Sequence, residues 1–297
     1  MKSRVRVYFE LARVPNSVTA SADSLAGYLI VAGSDASVLV ALLLMLSSFL
    51  LYAGGVILND VADVERDRLT RPDRPIPAGR ISLVESRTLA VVAMLSGVVL
   101  ACLASLQAGF VSLLVVASIV SYDVVLKQTA LAPSAMGFCR GFNLLMGAVA
   151  LEGLNLTAMI AATVMWLYVT SLTLFARRED EGGHLDNLIG GFVGVCTAVV
   201  AAGLLGLMAG ASLPMMSSFV NGGGFAAILL FFVVFRGLGA IRNPEPLSIQ
   251  RAVKTFVLGI VFLDAAMVAA CRGYSLGLLV LALFVPARLL ASRFRVT

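Results

Sequence analysis

The sequence predicts an all-α protein that crosses a membrane many times, and three observations carry that prediction. Sixty per cent of the 297 residues are hydrophobic and only 13% are charged, at a mean hydropathy of +0.98, a balance that excludes a soluble core. Apolar runs long enough to cross the hydrocarbon layer recur along the whole chain. Basic residues cluster in alternate connections between those runs, as a multi-pass chain with a fixed orientation requires. The chain reads as a single transmembrane domain over residues 1–297.

Met1 to Ser17 comes first, with Val5, Tyr8, Phe9 and Leu11 interleaved among Lys2, Arg4, Arg6 and Arg13. It lacks the apolar stretch and small-residue cleavage site of a signal peptide, so an interfacial amphipathic segment over residues 1–15 is expected. Ten apolar runs follow, at 14–33, 36–58, 84–106, 109–126, 133–151, 156–176, 188–211, 222–241, 252–271 and 274–291. Only the Cys271-Arg272-Gly273 corner joins the last two. Residues 272–297 are therefore read as an extra C-terminal helix, with nine spans and a re-entrant last piece as the alternative.

Charge sets the orientation. Arginines and lysines precede the first run, fill the second connection, follow runs four and six, flank the eighth connection and close the chain, whereas the opposite connections carry Asp35, Glu152 and Arg272. The positive-inside rule then places both termini in the cytoplasm of a cell with the protein in its inner (plasma) membrane. The net charge of +5 follows from this asymmetry and a negative inner leaflet, and calls for no nucleic-acid partner. Cys102, Cys139, Cys196 and Cys271 stand singly in apolar runs without metal or disulfide spacing, so free thiols are expected. Gly137 and Gly141, like Gly206 and Gly210, stand four apart and allow close helix packing.

The most informative stretch is Asn59-Asp60-Val61-Ala62-Asp63-Val64-Glu65-Arg66-Asp67, at the end of the second run. If the helix continues, Asn59, Asp63 and Asp67 recur at i, i+4 and i+8, with Asp60 on nearly the same face. Clustered carboxylates repel unless a cation is expected, and hard oxygen donors at a water boundary suit Mg²⁺ shared with substrate phosphates. Asn59, Asp60, Asp63 and Asp67 are the candidate metal ligands. Next comes Arg71-Pro72-Asp73-Arg74-Pro75-Ile76-Pro77-Ala78-Gly79-Arg80, where prolines prevent a continuous helix and hold the arginines on a stiff loop. Arg71 and Arg74 are candidate diphosphate clamps, because arginine offers phosphate a fixed fork of donors; anchoring the loop to anionic membrane lipid is the alternative.

Other polar groups join this set. Tyr122, Asp123 and Lys127 end the fourth run on the same side, and Lys127 is either a second phosphate contact or a helix-end anchor. Arg140 and Asn143 lie inside the fifth run, where an ionisable group is costly and faces a polar cavity or a partner. Asn16 and Asp23, at i and i+7 on the first run, can look into the same cavity. Asp264 is a further intramembrane acid whose partner the sequence does not identify. A second polar cluster, Arg177-Arg178-Glu179-Asp180-Glu181-Gly182-Gly183-His184, ends the sixth run.

Together these motifs resemble the UbiA superfamily of intramembrane prenyltransferases, whose signature N-D-x-x-D-x-x-x-D matches Asn59 to Asp67. The R-P-x-P-x-G-type loop matches Arg74 to Arg80, and the tyrosine and lysine of the Y-x-x-x-x-K-like sequence match Tyr122 and Lys127. The resemblance implies a nine-helix bundle around a central cavity, Mg²⁺ holding a prenyl diphosphate, and an acceptor attacking its first carbon. It makes Asp63, Asp67 and Lys127 the candidate catalytic residues. Substrate binding is assigned to Arg71, Arg74, Tyr122, Arg140, Asn143, Arg177, Arg178, Asn16 and Asp23. Asn16 to Asp23, Met136 to Asn143 and the final Val296-Thr297 look most like the EboC branch, named for a gene cluster linked to secondary metabolite production or export. One departure stands out: the superfamily's second motif, D-x-x-x-D after the sixth helix, is replaced by Arg177-Arg178-Glu179-Asp180-Glu181, so either an arginine neutralises the diphosphate in place of one Mg²⁺ or the site binds a diphosphate lipid without ionising it. The function implied is Mg²⁺-dependent transfer of an isoprenyl group from its diphosphate to a hydrophobic acceptor of unknown identity. A non-transferring or cyclising relative, or a lipid or metabolite carrier, is the alternative.

Overall fold

A computed structural model describes residues 4–177, 179, 184–209 and 213–293, and the described residues form an all-helical fold. In chain order the helices are α1 (Arg4–Leu11), α2 (Val14–Ala32), α3 (Val38–Ala62), α4 (Val64–Thr70), α5 (Leu83–Ala104), α6 (Leu106–Ser121), α7 (Ala132–Glu152), α8 (Leu156–Phe175), α9 (Leu185–Met208), α10 (Met215–Arg242), α11 (Pro246–Arg272), α12 (Tyr274–Leu281) and α13 (Phe284–Arg293). Eight of these, α3 and α5 to α11, are long and apolar enough to cross a membrane among the described residues, α6 being extended to Leu126. Side-chain caps start several of them where the sequence offers a Ser or Asn. Ser82, Ser105 and Asn155 accept hydrogen bonds from the amides of Glu85, Ala108 and Ala158 at 3.1, 3.0 and 2.9 Å, satisfying amides that an open helix end leaves bare.

The bundle has two apolar cores that share α2 and α7. One joins α2 and α7 to α8, α9, α10 and α11. The other joins them to α1, α3, α5 and α6. At 19 residues α2 is long enough to span, but it is laced with Ser, Thr, Asn and Asp and only Val18 escapes burial. A polar helix of this kind is stable in a membrane only when enclosed, and its small residues permit the enclosure. A Cβ on Gly147 of α7 would sit 1.9 Å from the Ser24 carbonyl oxygen, and one on Gly27 of α2 would sit 2.0 Å from that of Leu144, so the two backbones touch. Serines fasten α2 to α3: Ser48 Oγ donates to the Ala20 carbonyl at 2.6 Å and Ser21 Oγ to that of Met45 at 2.9 Å.

The ends of the bundle differ in chemistry. Helices α3, α6, α8 and α10 end, and α5, α7, α9 and α11 begin, at the end that carries the acidic motif. Arg272 lies at the other end. Its guanidinium donates to the Ile30 and Val31 carbonyls, capping the last turn of α2, where carbonyls lack helical partners.

The C-terminal run departs from a single tenth span. It is broken at Ala282 and Leu283 into α12 and α13, packed against α11 and α2. Pro286 supplies the reason, since it has no amide to donate to the Ala282 carbonyl four residues earlier and its ring crowds that carbonyl. Neither helix alone, at 8 and 10 residues, reaches across about 30 Å of hydrocarbon. The four cysteines are free, with Cys271 buried and Cys102 exposed on the bundle surface.

Candidate active site

A cavity of about 580 Å³ opens between α3, α4, α6 and α7, within the size range of small-molecule sites. Its acidic end is built by the α3–α4 junction. Helix α3 stops at Ala62 and α4 resumes at Val64, yet i to i+4 bonds continue through the break, from the amides of Asp63, Asp67 and Arg71 to the carbonyls of Asn59, Asp63 and Asp67 at 3.0, 2.8 and 2.8 Å. The expected register is thus kept, and Asn59, Asp63 and Asp67 all line the cavity. Asp60 departs from it. That residue is buried and absent from the lining, and its carboxylate accepts from Arg13 Nη2 at 2.8 Å and Arg74 Nη1 at 3.1 Å.

Every acid at this end has a partner. Arg74 Nη1 also donates to Asp67 Oδ2 at 2.6 Å, Lys127 pairs with Asp63, and Asn59 Nδ2 donates to Asp123 Oδ1 at 2.6 Å. Arg71 and Arg74 line the cavity as the stiff loop implied. Buried Ile76 and Ile81 anchor that loop, and Gly79 turns it at φ +66°, a region that glycine enters without a Cβ clash. Helix α1 braces the loop from outside, with Arg80 Nη1 donating to Glu10 Oε2 and Tyr8 Oη to Glu85 Oε1, each at 2.6 Å. The bond to Glu85 raises the Tyr8 pKa, which keeps the hydroxyl a donor.

Lys127 and Tyr122 reach the cavity through a local deformation. Residues Tyr122–Leu126 form a π-helical turn closed by the Lys127 amide on the Tyr122 carbonyl at 2.9 Å. Such a turn sets i and i+5 one above the other and is frequent at functional sites. Tyr122, Asp123 and Lys127 all line the cavity as a result. Arg13 carries the second deformation, at φ 42° and ψ 53°, the only positive φ outside glycine among the described residues. A non-glycine residue in this region is strained and persists only where its surroundings hold it; here the ion pair to Asp60 does so.

The cavity deepens between apolar walls that include Leu51, Val56, Val115, Ile119 and Met136. On α3 the lining runs from Asn59 down to Ser48, twelve residues or about 16 Å of helix. Arg140 and Asn143 form part of the deep end. Arg140 Nη1 donates to Asp23 Oδ2 at 2.7 Å and Nη2 to Thr19 Oγ1 at 2.9 Å, while the guanidinium lies 4.9 Å from the Tyr52 ring centre. Asn143 Nδ2 donates to the same Asp23 oxygen at 3.0 Å and to the Ala20 carbonyl at 2.8 Å. Asp264, unassigned by sequence, is fully buried in α11, and neither of its carboxylate oxygens has a hydrogen-bond partner among the described residues. The hydrogen bonds of Arg140 and Asn143 tie α7 to α2.

Most sequence-selected residues therefore meet at one cavity, and several do not. Asn16 and Asp23 are buried behind it, reaching it only through their neighbours. Arg177 is exposed and outside the lining, and Arg178 lies outside the described residues. Sequence reasoning passed over Arg13, Tyr52, Arg66 and Asp123 as site residues, although all four line the cavity. Asp123 carried a usable signal, since it sits between Tyr122 and Lys127.

Among the described residues no three acidic, cysteine or histidine side chains converge to hold a metal ion. The donor set nonetheless fits Mg²⁺ in kind. Asn59, Asp63, Asp67 and Asp123 all line the cavity with hard oxygens, and Mg²⁺ takes one or two protein carboxylates with the rest of its shell from water and phosphate.

Comparison with known proteins agrees with this architecture. Residues 23–263 match the model of the UbiA prenyltransferase family. The chain is 32% identical over 268 residues to digeranylgeranylglyceryl phosphate synthase of Methanoculleus marisnigri, covering 84% of this chain and 94% of that one. To the synthase of the same name from Sulfurisphaera tokodaii it is 30% identical over 203 residues, covering 67% and 71%. Among solved structures, one concerned with digeranylgeranylglyceryl phosphate synthase superposes with a TM-score of 0.67 at 22% identity, over 90% of this chain and 98% of that one. A UbiA homologue from Archaeoglobus fulgidus bound to GPP and Mg²⁺ superposes at 0.65 and 12% identity, over 88% and 99%; at these identities the likeness is one of fold. The expected likeness to the EboC branch finds no counterpart in these relatives. Motif, cavity, fold and sequence relatives converge, and the chain belongs to the UbiA prenyltransferase family.

Proposed function

We propose that the cavity binds a prenyl diphosphate with Mg²⁺ and transfers its isoprenyl group to a hydrophobic acceptor within the membrane. The observation that carries this reading is the division of the cavity, with carboxylates and cations at one end and apolar walls leading inward. A prenyl diphosphate has the same division. The solved homologue bound to GPP and Mg²⁺ supports the substrate class, and the name of the sequence relatives makes a glyceryl phosphate lipid the first acceptor to test.

In this reading Asn59, Asp63 and Asp67 hold the metal, with Asp123 beside them. When bound, Mg²⁺ neutralises the diphosphate and stabilises the charge that develops on it as it leaves. The chain's own residues do the rest. Arg71, Arg74 and Lys127 are placed to bind phosphate oxygens, and the carboxylate partners of Arg74 and Lys127 keep them in position before substrate arrives. Fixed cations aimed at a departing anion lower the barrier because they need no reorganisation during the reaction. The bond between the first prenyl carbon and the diphosphate oxygen breaks with its electron pair on oxygen, the acceptor forms the new bond to that carbon, and the acceptor loses a proton. Leu51, Val56, Val115 and Ile119 keep water from the allylic carbon.

The test is binding and turnover by purified protein in detergent or nanodiscs with a labelled prenyl diphosphate. Diphosphate release that needs both Mg²⁺ and a glyceryl phosphate lipid is expected. The double variant Asp63→Asn/Asp67→Asn should insert and fold but lose Mg²⁺-dependent affinity for the diphosphate. Retained affinity in that variant overturns the site, and movement of substrate across vesicles without diphosphate release overturns the reaction in favour of a carrier.

A further inference from the structure

A second hollow of about 500 Å³ lies away from the active site, on the outer face of α10 and α11 near the connection between them. It shares no lining residue with the first. Its wall toward the middle of the membrane is apolar, with Phe231 and Phe235 of α10 66% and 64% exposed. Its other wall carries Arg236 and Arg242 of α10, and Ser248 and Arg251 of α11.

The three arginines are all exposed, and among the described residues none of them forms an ion pair. Arg236 lies 5.6 Å from the ring centre of Phe235, so its head is held at the boundary of apolar and charged surface. Glu245, the one acid in this connection, is not part of the lining. This contrasts with the active-site end, where Arg13, Arg74 and Lys127 are each matched to a carboxylate. Uncompensated guanidiniums converging at a membrane boundary call for an anion from outside the chain. The aromatic wall continues from them toward the hydrocarbon and requires that the anion carry an apolar body.

We propose that this hollow is a binding site for an anionic phospholipid, with the headgroup phosphate between Arg236, Arg242 and Arg251 and an acyl chain along Phe231 and Phe235. A single occupied site also accounts for the charge of the α10–α11 connection beyond topology, because orientation is satisfied by basic residues anywhere in a cytoplasmic loop. The ligand bears on the boundary of the bundle and not on prenyl transfer.

The experiment uses full-length protein in nanodiscs of phosphatidylcholine containing a minor share of phosphatidylglycerol, followed by extraction into mild detergent and native mass spectrometry of retained lipid. Wild type is expected to retain one phosphatidylglycerol. Arg242→Gln/Arg251→Gln should lower the retained fraction, at about fivefold in affinity per arginine removed. Arg87→Gln/Arg288→Gln, at exposed arginines on α5 and α13, is the charge-matched control and should retain the lipid. Equal retention by wild type and the double variant overturns the site, as does equal loss in the control, which would report only general surface charge. A second arm adds inorganic phosphate or glycerol phosphate at millimolar concentration. Persistence of the lipid supports the proposal, and displacement by the free anion overturns it in favour of a soluble phosphate ligand. Far-ultraviolet circular dichroism and thermal melting establish that each variant is folded.

Discussion

Arg74 touches two carboxylates of the acidic motif at once, Asp60 and Asp67, and so holds together groups that would otherwise repel. A similar economy operates at Asn59, which lines the cavity and whose Nδ2 donates to Asp123 Oδ1. Asp123 thereby brings a carboxylate from α6 to a site whose other acids come from α3 and α4. If that charge serves the metal and diphosphate, Asp123→Asn should weaken Mg²⁺-dependent binding of a prenyl diphosphate by about tenfold or more, the scale of a lost contact to a charged group. Affinity for the corresponding prenyl alcohol should stay unchanged. Titration calorimetry with both ligands checks this, and an equal loss for the two would assign Asp123 to packing around Asn59 alone.

At the scale of the element, contact distance between helices decides which small residues matter. Gly147 lies against the α2 backbone at Ser24, whereas Gly223 of α10 has nothing within 4 Å of where a Cβ would stand. Gly147→Ala must push α2 and α7 apart, and because the obstacle is backbone it cannot be relieved by a rotamer change. A loss of about 1–3 kcal/mol is expected for that overpacking. Gly223→Ala should instead be neutral or stabilising by up to about 1 kcal/mol through helix propensity. Thermal unfolding of the two variants in the same detergent tests the contrast. The predicted loss at Gly147 should also disturb the candidate active site, since the same crossing carries the Arg140 to Asp23 contact.

For the whole molecule, alternation of the long helices sets the acidic motif, the cavity mouth and the α10–α11 arginines at one end. We propose from the positive-inside rule that this end faces the cytoplasm. Helices α12 and α13 are each too short to cross, but in tandem they cover residues 274 to 293, enough to return the chain to its starting side at about 1.5 Å per residue. A reporter active only in the periplasm, fused after Thr297, should therefore stay dark, and a reporter active only in the cytoplasm should be bright. The opposite pattern would mean that the C-terminal pair lies along the far surface.

The sequence by itself determined the class of the protein, the apolar runs and the chemistry of the motif, because membrane insertion and helical register are local properties. Asn59, Asp63 and Asp67 share a wall for that reason: the i to i+4 spacing survives the break at Asp63. Only the tertiary structure decided which charges face the cavity and which face each other. Asp60 and Asp67 are spelled alike in the motif, yet Asp60 turns to Arg13, 47 residues earlier in the chain, and leaves the lining. The partner of Arg140 was settled by contact between α2 and α7, which periodicity cannot report. The interruption of the last run at Ala282 was legible in Pro286, but the surfaces on which its halves pack were not, because packing depends on helices distant in sequence.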